Sequence, residues 1–533
     1  MSQPHIHDQW AALSYIPDLA GDRTRPDGSP TWLDDFDARR LTAYQVLSAY
    51  TDNTRRYWLP ASMWVRPVRA RELGVSIDSS SAEQSREYGD PALVVNTARA
   101  LLLGDDQTIT CDDQTALDFL NDWATKERVG QKLLEGEEHT ITQGDGVHVL
   151  HPSGAKGRVR HRVYDPGFYF PDTRTPVDGW DDDDFPPIVH LAWEWIDNDH
   201  VTWIRRTTYQ MTQLEEARGT QWGDATEWTC MYRVVDYPAD QLRSGATVYS
   251  EEMGRNSKDV VEWTDLLVDF IPVVHVPNDP STERTWGRSL LLLVGQILDD
   301  LQNTDTDLAA ASQSASPAFI TTGAPAGGPT GVPGEMIGLP EGAAGGWADT
   351  SKNLTALTGY ITSLIERLAQ NTRLSQVLLG AISPDQVPSG YALQLGFAPA
   401  QSLVREMRAV RDEKYPLILR FVLRLSQAWG WYAPGETPDA TVTLGAAFPS
   451  DLPGAIAAVK DLLPVHGLST ETAVKMLAAA GLPIDDAKAE VQRIRQESYE
   501  DAVRLFEATG NAAAAADMLG VDPVTVVVPP VSA

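Results

Sequence analysis

The sequence contains little cysteine, no long apolar run and few of the motifs that mark enzymes. Among 533 residues there are two cysteines, Cys111 and Cys230, too few for a disulfide framework and without zinc-site spacing. A run such as Leu290–Val294 is far too short to span a membrane. No basic segment followed by an apolar core opens the chain, so we expect no secretion signal and a cytosolic origin.

Positive charge is also scarce. The chain carries 74 acidic and 43 basic residues, a formal net charge of −31 at pH 7. Proteins that bind DNA strongly neutralise phosphates with lysine and arginine, which this chain cannot do over most of its surface. Any contact with DNA is therefore expected to be local or weak. The 42% of apolar residues is typical of a folded protein.

No catalytic motif is present. The glycine-rich segment 323–331 lacks the GK[ST] ending of a phosphate-binding loop, and Gly154–Gly157, which contains Lys156, is too short for one. HExxH, GxSxG and CxxC motifs do not occur. We therefore expect no enzymatic activity, no catalytic residues, no cofactor and no bound metal.

Three other patterns have both functional and structural explanations. His148, His151 and His161 flank a predicted hairpin, and strand or turn positions explain them better than a metal site. Asp181–Asp184 is expected to be a solvated loop, because four consecutive aspartates do not converge on one ion. The 16 tryptophans and many acids keep open a carbohydrate-active enzyme with a Trp/Asp-rich cleft.

Apolar periodicity and turn residues predict an α+β fold. Helices are expected over residues 34–57, 91–103, 116–134, 286–311, 353–379 and 391–431, the last bent near Pro399 and Pro416, and as several short helices over 453–518. Strands are expected over residues 140–150, 157–164, 188–195, 201–211, 227–235 and 271–276.

The order of the later elements is informative: a long helix, a Gly/Pro-rich insertion, a second long helix, a proline-broken loop, a longer helix and a small helical end. An isolated helix pair is marginally stable, so its apolar faces need partners. Copies arranged around an axis would supply them. An ordinary helical bundle with a loop, or an assembly adaptor without a channel, are alternatives.

Short segments of this sequence also occur in a recognisable order. They are Tyr50, Asn96 and Trp123 in the early helices, EEHTITQGDGVHV at 137–149, VYDPGFYFPD at 163–172, FIPVVHVPN at 270–278 followed by Gly287-Arg288-Ser289-Leu290, SGYAL at 389–393, and 468–497 with Glu490, Arg493, Ile494 and Glu497. In this order they resemble portal proteins of tailed double-stranded DNA bacteriophages, the head-tail connector rings, over about residues 35–505.

The resemblance implies a phage portal fold with a β-rich wing, a two-helix stem, a clip insertion, a long bent wing helix and a helical crown. The corresponding regions are 1–284 (wing), 285–311 (first stem helix), 312–350 (clip), 351–379 (second stem helix), 380–390 (tunnel loop), 391–449 (long wing helix and return), 450–520 (crown) and 521–533 (flexible tail). The clip is short and unusually rich in glycine and proline for this family.

The resemblance also implies a function. Portal proteins form homo-oligomeric rings, usually dodecamers, at one capsid vertex of the virion, after assembly in the host cytoplasm. Viral DNA is packaged and ejected through the ring without sequence readout. The implied partners are the terminase large subunit, the major capsid and scaffolding proteins, and the head-completion or tail adaptor, with no membrane.

Two sets of residues are candidates for contact with DNA. The tunnel loop supplies Ile382, Ser383, Asp385, Gln386, Val387 and Ser389, none of which is a strong phosphate ligand. Arg405, Arg408, Arg411 and Lys414 follow three-residue steps on the long helix and partly share a face. Ion pairing within the helix or between subunits is one interpretation of these bases, and a positive ring near DNA or an acidic neighbouring subunit is the other.

Overall fold

The computed structural model of the chain describes residues 32–53, 86, 88–175, 185–214, 228–254, 257–279, 285–313, 318–322, 344–348, 351–383, 390–448, 452–463, 467–479, 482, 484 and 487–519. These residues contain both helices and strands, which confirms the expected α+β class. The chain divides into two compact units, one ending at Gly445 and one beginning at Ala446. Asp181–Asp184 lies outside the described residues.

The described helices are α1 (Asp35–Thr51), α2 (Asp90–Leu103), α3 (Gln114–Glu127), α4 (Val129–Gln143), α5 (Gly295–Gln313), α6 (Ser351–Thr372), α7 (Gly390–Ala428), α8 (Leu452–Leu462), α9 (Thr470–Ala479), α10 (Ala487–Thr509) and α11 (Ala512–Met518). Aspartate side chains cap the N-termini of two of these helices. Asp34 accepts a hydrogen bond from the amide of Asp37 at the start of α1, and Asp113 accepts one from Ala116 at the start of α3.

The described strands are β1 (Gln107–Cys111), β2 (Asp145–Ser153), β3 (Arg158–Tyr164), β4 (Tyr169–Asp172), β5 (Ile188–Ile196), β6 (Thr202–Gln213), β7 (Trp228–Pro238), β8 (Lys258–Asp265), β9 (Val273–Pro277), β10 (Ala318–Thr322), β11 (Ala344–Ala348) and β12 (Ala440–Leu444). All pairings are antiparallel. The sheet orders are β4-β5-β6-β7-β8, β3-β2-β9, β1-β12 and β10-β11. The predicted β-rich region between residues 140 and 276 therefore forms the two larger sheets.

The prediction of one continuous helix over 116–134 is wrong, because the segment belongs to two helices. Arg128 adopts a left-handed conformation with φ of 55° and separates α3 from α4. α4 then continues to Gln143, so the strand expected from Thr140 begins at Asp145. Thr140 tolerates the helix because its hydroxyl bonds back to the carbonyl of Gly136 at 2.7 Å, and Gly144, with φ of 102°, ends the helix.

Other helix boundaries also differ from those expected. The helix predicted from Trp286 begins at Gly295, because Leu290–Leu293 form a 3-10 turn that starts at Ser289. α6 ends at Thr372 and not at 379, since Arg373 adopts a left-handed φ of 60°. α7 continues through both Pro399 and Pro416 and ends at Ala428.

The main core of the first unit lies where α7 packs against β2, β3, β9 and β12. Buried side chains of α7 recur every three or four residues and include Val410, Ile418, Val422 and Leu425. Phe270 stacks on Phe421 with ring centroids 4.0 Å apart. A helix of 39 residues is thus fixed along its C-terminal half by the β-rich region.

A buried arginine forms a polar cluster at the edge of the main core. Arg40 of α1 donates to the carbonyls of Pro166 and Tyr169, pairs with Asp37 at 3.0 Å and lies 4.1 Å from the ring centroid of Trp286. This arginine therefore holds the loop between β3 and β4 against the segment that precedes α5.

The second unit consists of the helices α8 to α11 in its described part, as the sequence predicts for this region. Its buried side chains are small or few, for example Val474, Val491 and Ala502, while Ile456 and Tyr499 are exposed. Its assignment as a crown stays a prediction.

Candidate functional site

The helix pair α5 and α6 is the first part of the candidate site. The two helices pack on each other, and β10 and β11, which lie between them in sequence, pair antiparallel from Ala318↔Ala348 to Thr322↔Ala344. This connection makes the helices an antiparallel pair with the two-stranded sheet at one end. The other end begins at the Leu290–Leu293 turn, which packs on both helices.

The described side chains in the half of this pair nearest the two-stranded sheet form no core of their own. Among the side chains that the structure describes, the last buried one on α5 is Thr304 and the first on α6 is Leu364. No described side chain over 305–309 or 354–363 is buried, and Tyr360 is 47% exposed. We call this part, residues 305–309 and 354–363, the distal half. Part of the distal half contacts the residues that precede and begin α2: the Arg86 amide donates to Thr306 at 2.9 Å, and Asp90 lies near Asp305. The rest of its surface is only partly covered, and helices of this length are marginal without tertiary packing.

α5 is acidic along its length. It carries Asp299, Asp300, Asp305 and Asp307 and no lysine or arginine. Burial raises the pKa of Asp305, and the nearby carboxylate of Asp90 raises it further. Tyr50 of α1 donates to Asp299 at 2.7 Å, which ties the start of α5 to α1.

The segment after α6 contains the tunnel-loop candidates. Ile382 is half-buried, its amide donating to the carbonyl of Gln376 at 3.3 Å, and Ser383 is exposed. The turn before them is fixed by the buried side chains of Leu374 and Leu379. The other four candidates lie outside the described residues: Asp385, Gln386, Val387 and Ser389.

The four bases of α7 do not form one exposed face. Arg405 is exposed, whereas Arg408 donates to the carbonyls of Leu102 at 2.9 Å and Gly445 at 2.6 Å. Lys414 pairs with its neighbour Glu413 at 2.7 Å. Steps of three residues fall about 60° short of a full turn, so three steps carry a side chain about 180° around the helix. The shared face inferred from spacing therefore does not persist from Arg405 to Lys414.

Arg411 has a partner that spacing along α7 does not predict. Its guanidinium donates to both carboxylate oxygens of Glu137 on α4, at 3.0 and 2.7 Å, and to Asn278 Oδ1 at 3.2 Å. Tyr415 also donates to Glu137. Burial alone would lower the pKa of Arg411, but the Glu137 carboxylate raises it. Burial and the same carboxylate raise the pKa of Tyr415 well above its usual value.

Asp145 forms a second junction, at the start of β2. Its carboxylate accepts hydrogen bonds from Tyr44 at 2.6 Å, from the Gly287 amide at 2.7 Å, and contacts His275 Nε2 at 2.8 Å. Ser289 donates to the carbonyl of Thr142 at 2.5 Å. These bonds join α1, α4, β2 and β9 to the chain leading into α5.

The histidines lie on strands, as expected. His148 of β2 and His161 of β3 are buried, with 2.9 Å between His148 Nδ1 and His161 Nε2, and burial lowers the pKa of both, that of His148 to about 4. His151 lies on β2 near Tyr232. Within the described ranges there is no group of three or more His, Cys, Asp or Glu side chains that could hold a metal ion. In that same part of the chain, no helix is long and apolar enough to cross a membrane.

Comparison with known proteins gives a likeness in structure and none in sequence. No family model matches the sequence, and no curated protein matches it. Among the solved structures, a chain from the neck of a native GTA particle computed with C12 symmetry matches at 11% identity and a TM-score of 0.36. The match covers 76% of this chain and 93% of that one. A likeness of this size carries no argument about function, which is therefore argued from the chain's own residues.

The site thus combines a helix pair whose distal half has no buried side chain among the described residues with two buried polar junctions near its other end. Sequence reasoning identified the helix pair and the GRSL segment but not Glu137, Asp145 or Asn278 as junction residues. The signal that could have indicated them is a polar side chain beside a glycine or proline at an element boundary, as in Gly144-Asp145 and Pro277-Asn278. The contacts around them position helices, and none resembles a catalytic arrangement of nucleophile and base.

Proposed function

We propose that the chain is a ring-forming portal subunit of a virion, located at one capsid vertex, through which double-stranded DNA is packaged and ejected. The observation that carries the proposal is the distal half of α5 and α6, where no described side chain is buried. Copies around a closed axis would cover these surfaces with one another. The ordered likeness of the sequence to portal proteins selects this assembly over an ordinary bundle.

The negative charge of α5 supports a channel that does not bind DNA tightly. The four acids of α5, without a base on that helix, would repel phosphates and keep a duplex centred in the lumen. Salt limits this repulsion to a range of about 10 Å, so it would act only close to the wall. A lining of lysine and arginine would bind phosphates and slow the passage of DNA.

In the proposed role the ring binds other virion proteins and catalyses no reaction. The ring, of about twelve copies by the family likeness, would dock the terminase large subunit during packaging and the head-completion or tail proteins afterwards. Major capsid and scaffolding proteins would surround it in the virion. The chain would act without enzymatic activity; the buried carboxylates of Glu137 and Asp145 support this, because both are engaged in hydrogen bonds that join elements of the fold.

Negative-stain microscopy of the purified full chain tests the proposal. We expect rings with a central hole wide enough for a duplex. Tyr360→Glu should abolish the rings, because it places a charge on the exposed side of the distal half. The separated subunit should remain folded, with the circular dichroism spectrum of the wild type, since Tyr360 has no part in its core, although it loses the stability that the ring contributes. Ile196→Glu, at a residue 65% exposed at the end of β5, is the matched control and should leave rings intact.

Three results would contradict the proposal. A closed complex without a lumen would indicate an assembly adaptor. A compact monomer that cleaves glycans would indicate a carbohydrate-active enzyme. Rings that form equally well with Tyr360→Glu would show that the distal half is not the contact between subunits.

A further inference from the structure

A cleft in the first unit lies away from the helix pair, and nothing in the proposed function uses it. It has a volume of about 240 Å³ and is bounded by α3, the turn between β2 and β3, and the segment that follows α7. Its lining combines cationic side chains with aromatic rings, although the chain as a whole has a net charge of −31.

Three cations border the cleft. Lys156 lies exposed in the β2–β3 turn, and no ion pair of its ammonium occurs among the residues that the structure describes. Arg158 keeps its guanidinium beside Glu127, with 2.7 Å between Nε and Oε1. Lys126 pairs with Asp122, the one acid in the lining, at 2.6 Å. The lining thus has a formal charge of +2, from three bases and one acid.

The aromatic side chains form the apolar part of the cleft. Trp123 is fixed in the core, where its indole NH donates to the carbonyl of Val159 at 2.9 Å. Trp431 is half-buried and lies beside Trp429, with ring centroids 5.6 Å apart. Phe119 packs against Tyr432 at 4.9 Å. Of these rings, Trp431 and Phe119 are only half-buried, so they offer an apolar surface that loses little further conformational freedom on binding.

We propose that this cleft binds a nucleotide, with the phosphate near Lys156 and Arg158 and the base against Trp431. Nucleotide bases stack on aromatic rings, and arginine and lysine contact the phosphate. The volume is below the roughly 300–1,000 Å³ of pockets that enclose drug-sized ligands, so the cleft would hold at most one nucleotide unit and leave part of it exposed. That unit is either a free nucleotide or one residue of a single strand, and the two sources share the same chemistry.

Binding to the full chain is measured by fluorescence polarisation with a labelled oligothymidylate of about ten nucleotides. Lys156→Glu should weaken binding by about tenfold or more, since it replaces an attractive contact with phosphate by a repulsive one. Trp431→Leu, which keeps an apolar side chain against the core, should weaken it by a similar factor. Lys460→Glu makes the same charge change at an exposed lysine of the second unit and should leave binding unchanged.

Competition separates the two sources. If adenosine monophosphate displaces the oligonucleotide, the cleft takes a free nucleotide, and if only unlabelled oligonucleotide does so, it takes a strand. Both results support the proposal. It is overturned if no binding is detected, if Lys156→Glu binds as well as Lys460→Glu, or if poly-glutamate competes as well as the oligonucleotide. None of these results depends on whether the chain forms rings.

Discussion

Arg411 and Glu137 form a bidentate ion pair that joins the long helix α7 to α4, with N–O distances of 3.0 and 2.7 Å and both side chains almost fully buried. The two residues are 274 positions apart in sequence. Together with Tyr415 and Asn278, the pair fixes the position of α7 relative to α4 and to the segment that follows β9.

Removing one member of this pair should destabilise the first unit strongly. Arg411→Met leaves the Glu137 carboxylate buried without its cation, which typically costs about 3–5 kcal/mol. Glu137→Met leaves the guanidinium in the same position and should cost a similar amount. Thermal unfolding of the full chain, followed by circular dichroism, measures both.

The double variant distinguishes an ion pair from two independent packing effects. Arg411→Met with Glu137→Met should recover much of the stability lost by either single change, because no buried charge is left unpaired. Arg373→Met is the matched control, since its pair with Glu406 is exposed and should contribute less than about 1 kcal/mol. Additive losses in the double variant would contradict this account.

A sequence pattern locates elements better than it locates their partners. The order of helices and the β-rich region were predictable because apolar periodicity and turn residues are local signals. The partner of Arg411 was not predictable. The spacing of Arg411 from Arg408 suggested a charged surface, but Arg411 lies on the buried side of α7, opposite Glu137. Long-range polar pairs depend on the packing of elements, which the sequence of one element does not encode. The tunnel-loop assignment itself stays a prediction.

Gly287 is expected to be intolerant of any side chain. A Cβ at this position would lie 2.0 Å from the carbonyl oxygen of Gly144 and 2.4 Å from the amide nitrogen of Asn278. Both are backbone atoms, so the chain before α5 would have to shift and would lose the hydrogen bond of the Gly287 amide to Asp145. Gly287→Ala should therefore cost about 1–3 kcal/mol. Gly154→Ala, with open space around the new methyl group, should change the unfolding temperature little.

Glu127 should make stability depend on pH in the acid range. Burial alone would raise the pKa of Glu127, but hydrogen bonds from Arg158 and Lys132 lower it to about 2. A folded-state pKa below the unfolded value of 4.5 means that the carboxylate stabilises the fold above that value. This contribution is lost progressively as the pH falls from about 4.5 towards 2.

Comparing the wild type with Glu127→Gln isolates this effect. At pH 7 the variant should be less stable by about 1.5–3 kcal/mol, the range for hydrogen bonds to a charged group. The difference should shrink as the pH falls towards 2, because the wild-type carboxyl becomes neutral as well. Buried histidines such as His148 also destabilise the fold in acid, but they are present in both proteins and cancel. A difference that stays constant with pH would contradict the assignment.

Residues 382–388 are expected to act on DNA through their bulk. The segment lies between α6 and α7 and contains Ser383, Asp385 and Gln386 but no lysine or arginine, so it lacks strong phosphate ligands. Deleting it should leave rings intact and impair DNA packaging or retention, measured as full particles per ring-containing particle.

Replacing the segment by a glycine-serine segment of equal length keeps the length of the connection and removes the bulk of its side chains. Because we expect the bulk to matter, this replacement should impair retention as much as the deletion does. A smaller effect would show that the length of the connection matters. Normal packaging with the deletion would contradict a gating role, whereas loss of rings would assign the segment to the contact between subunits.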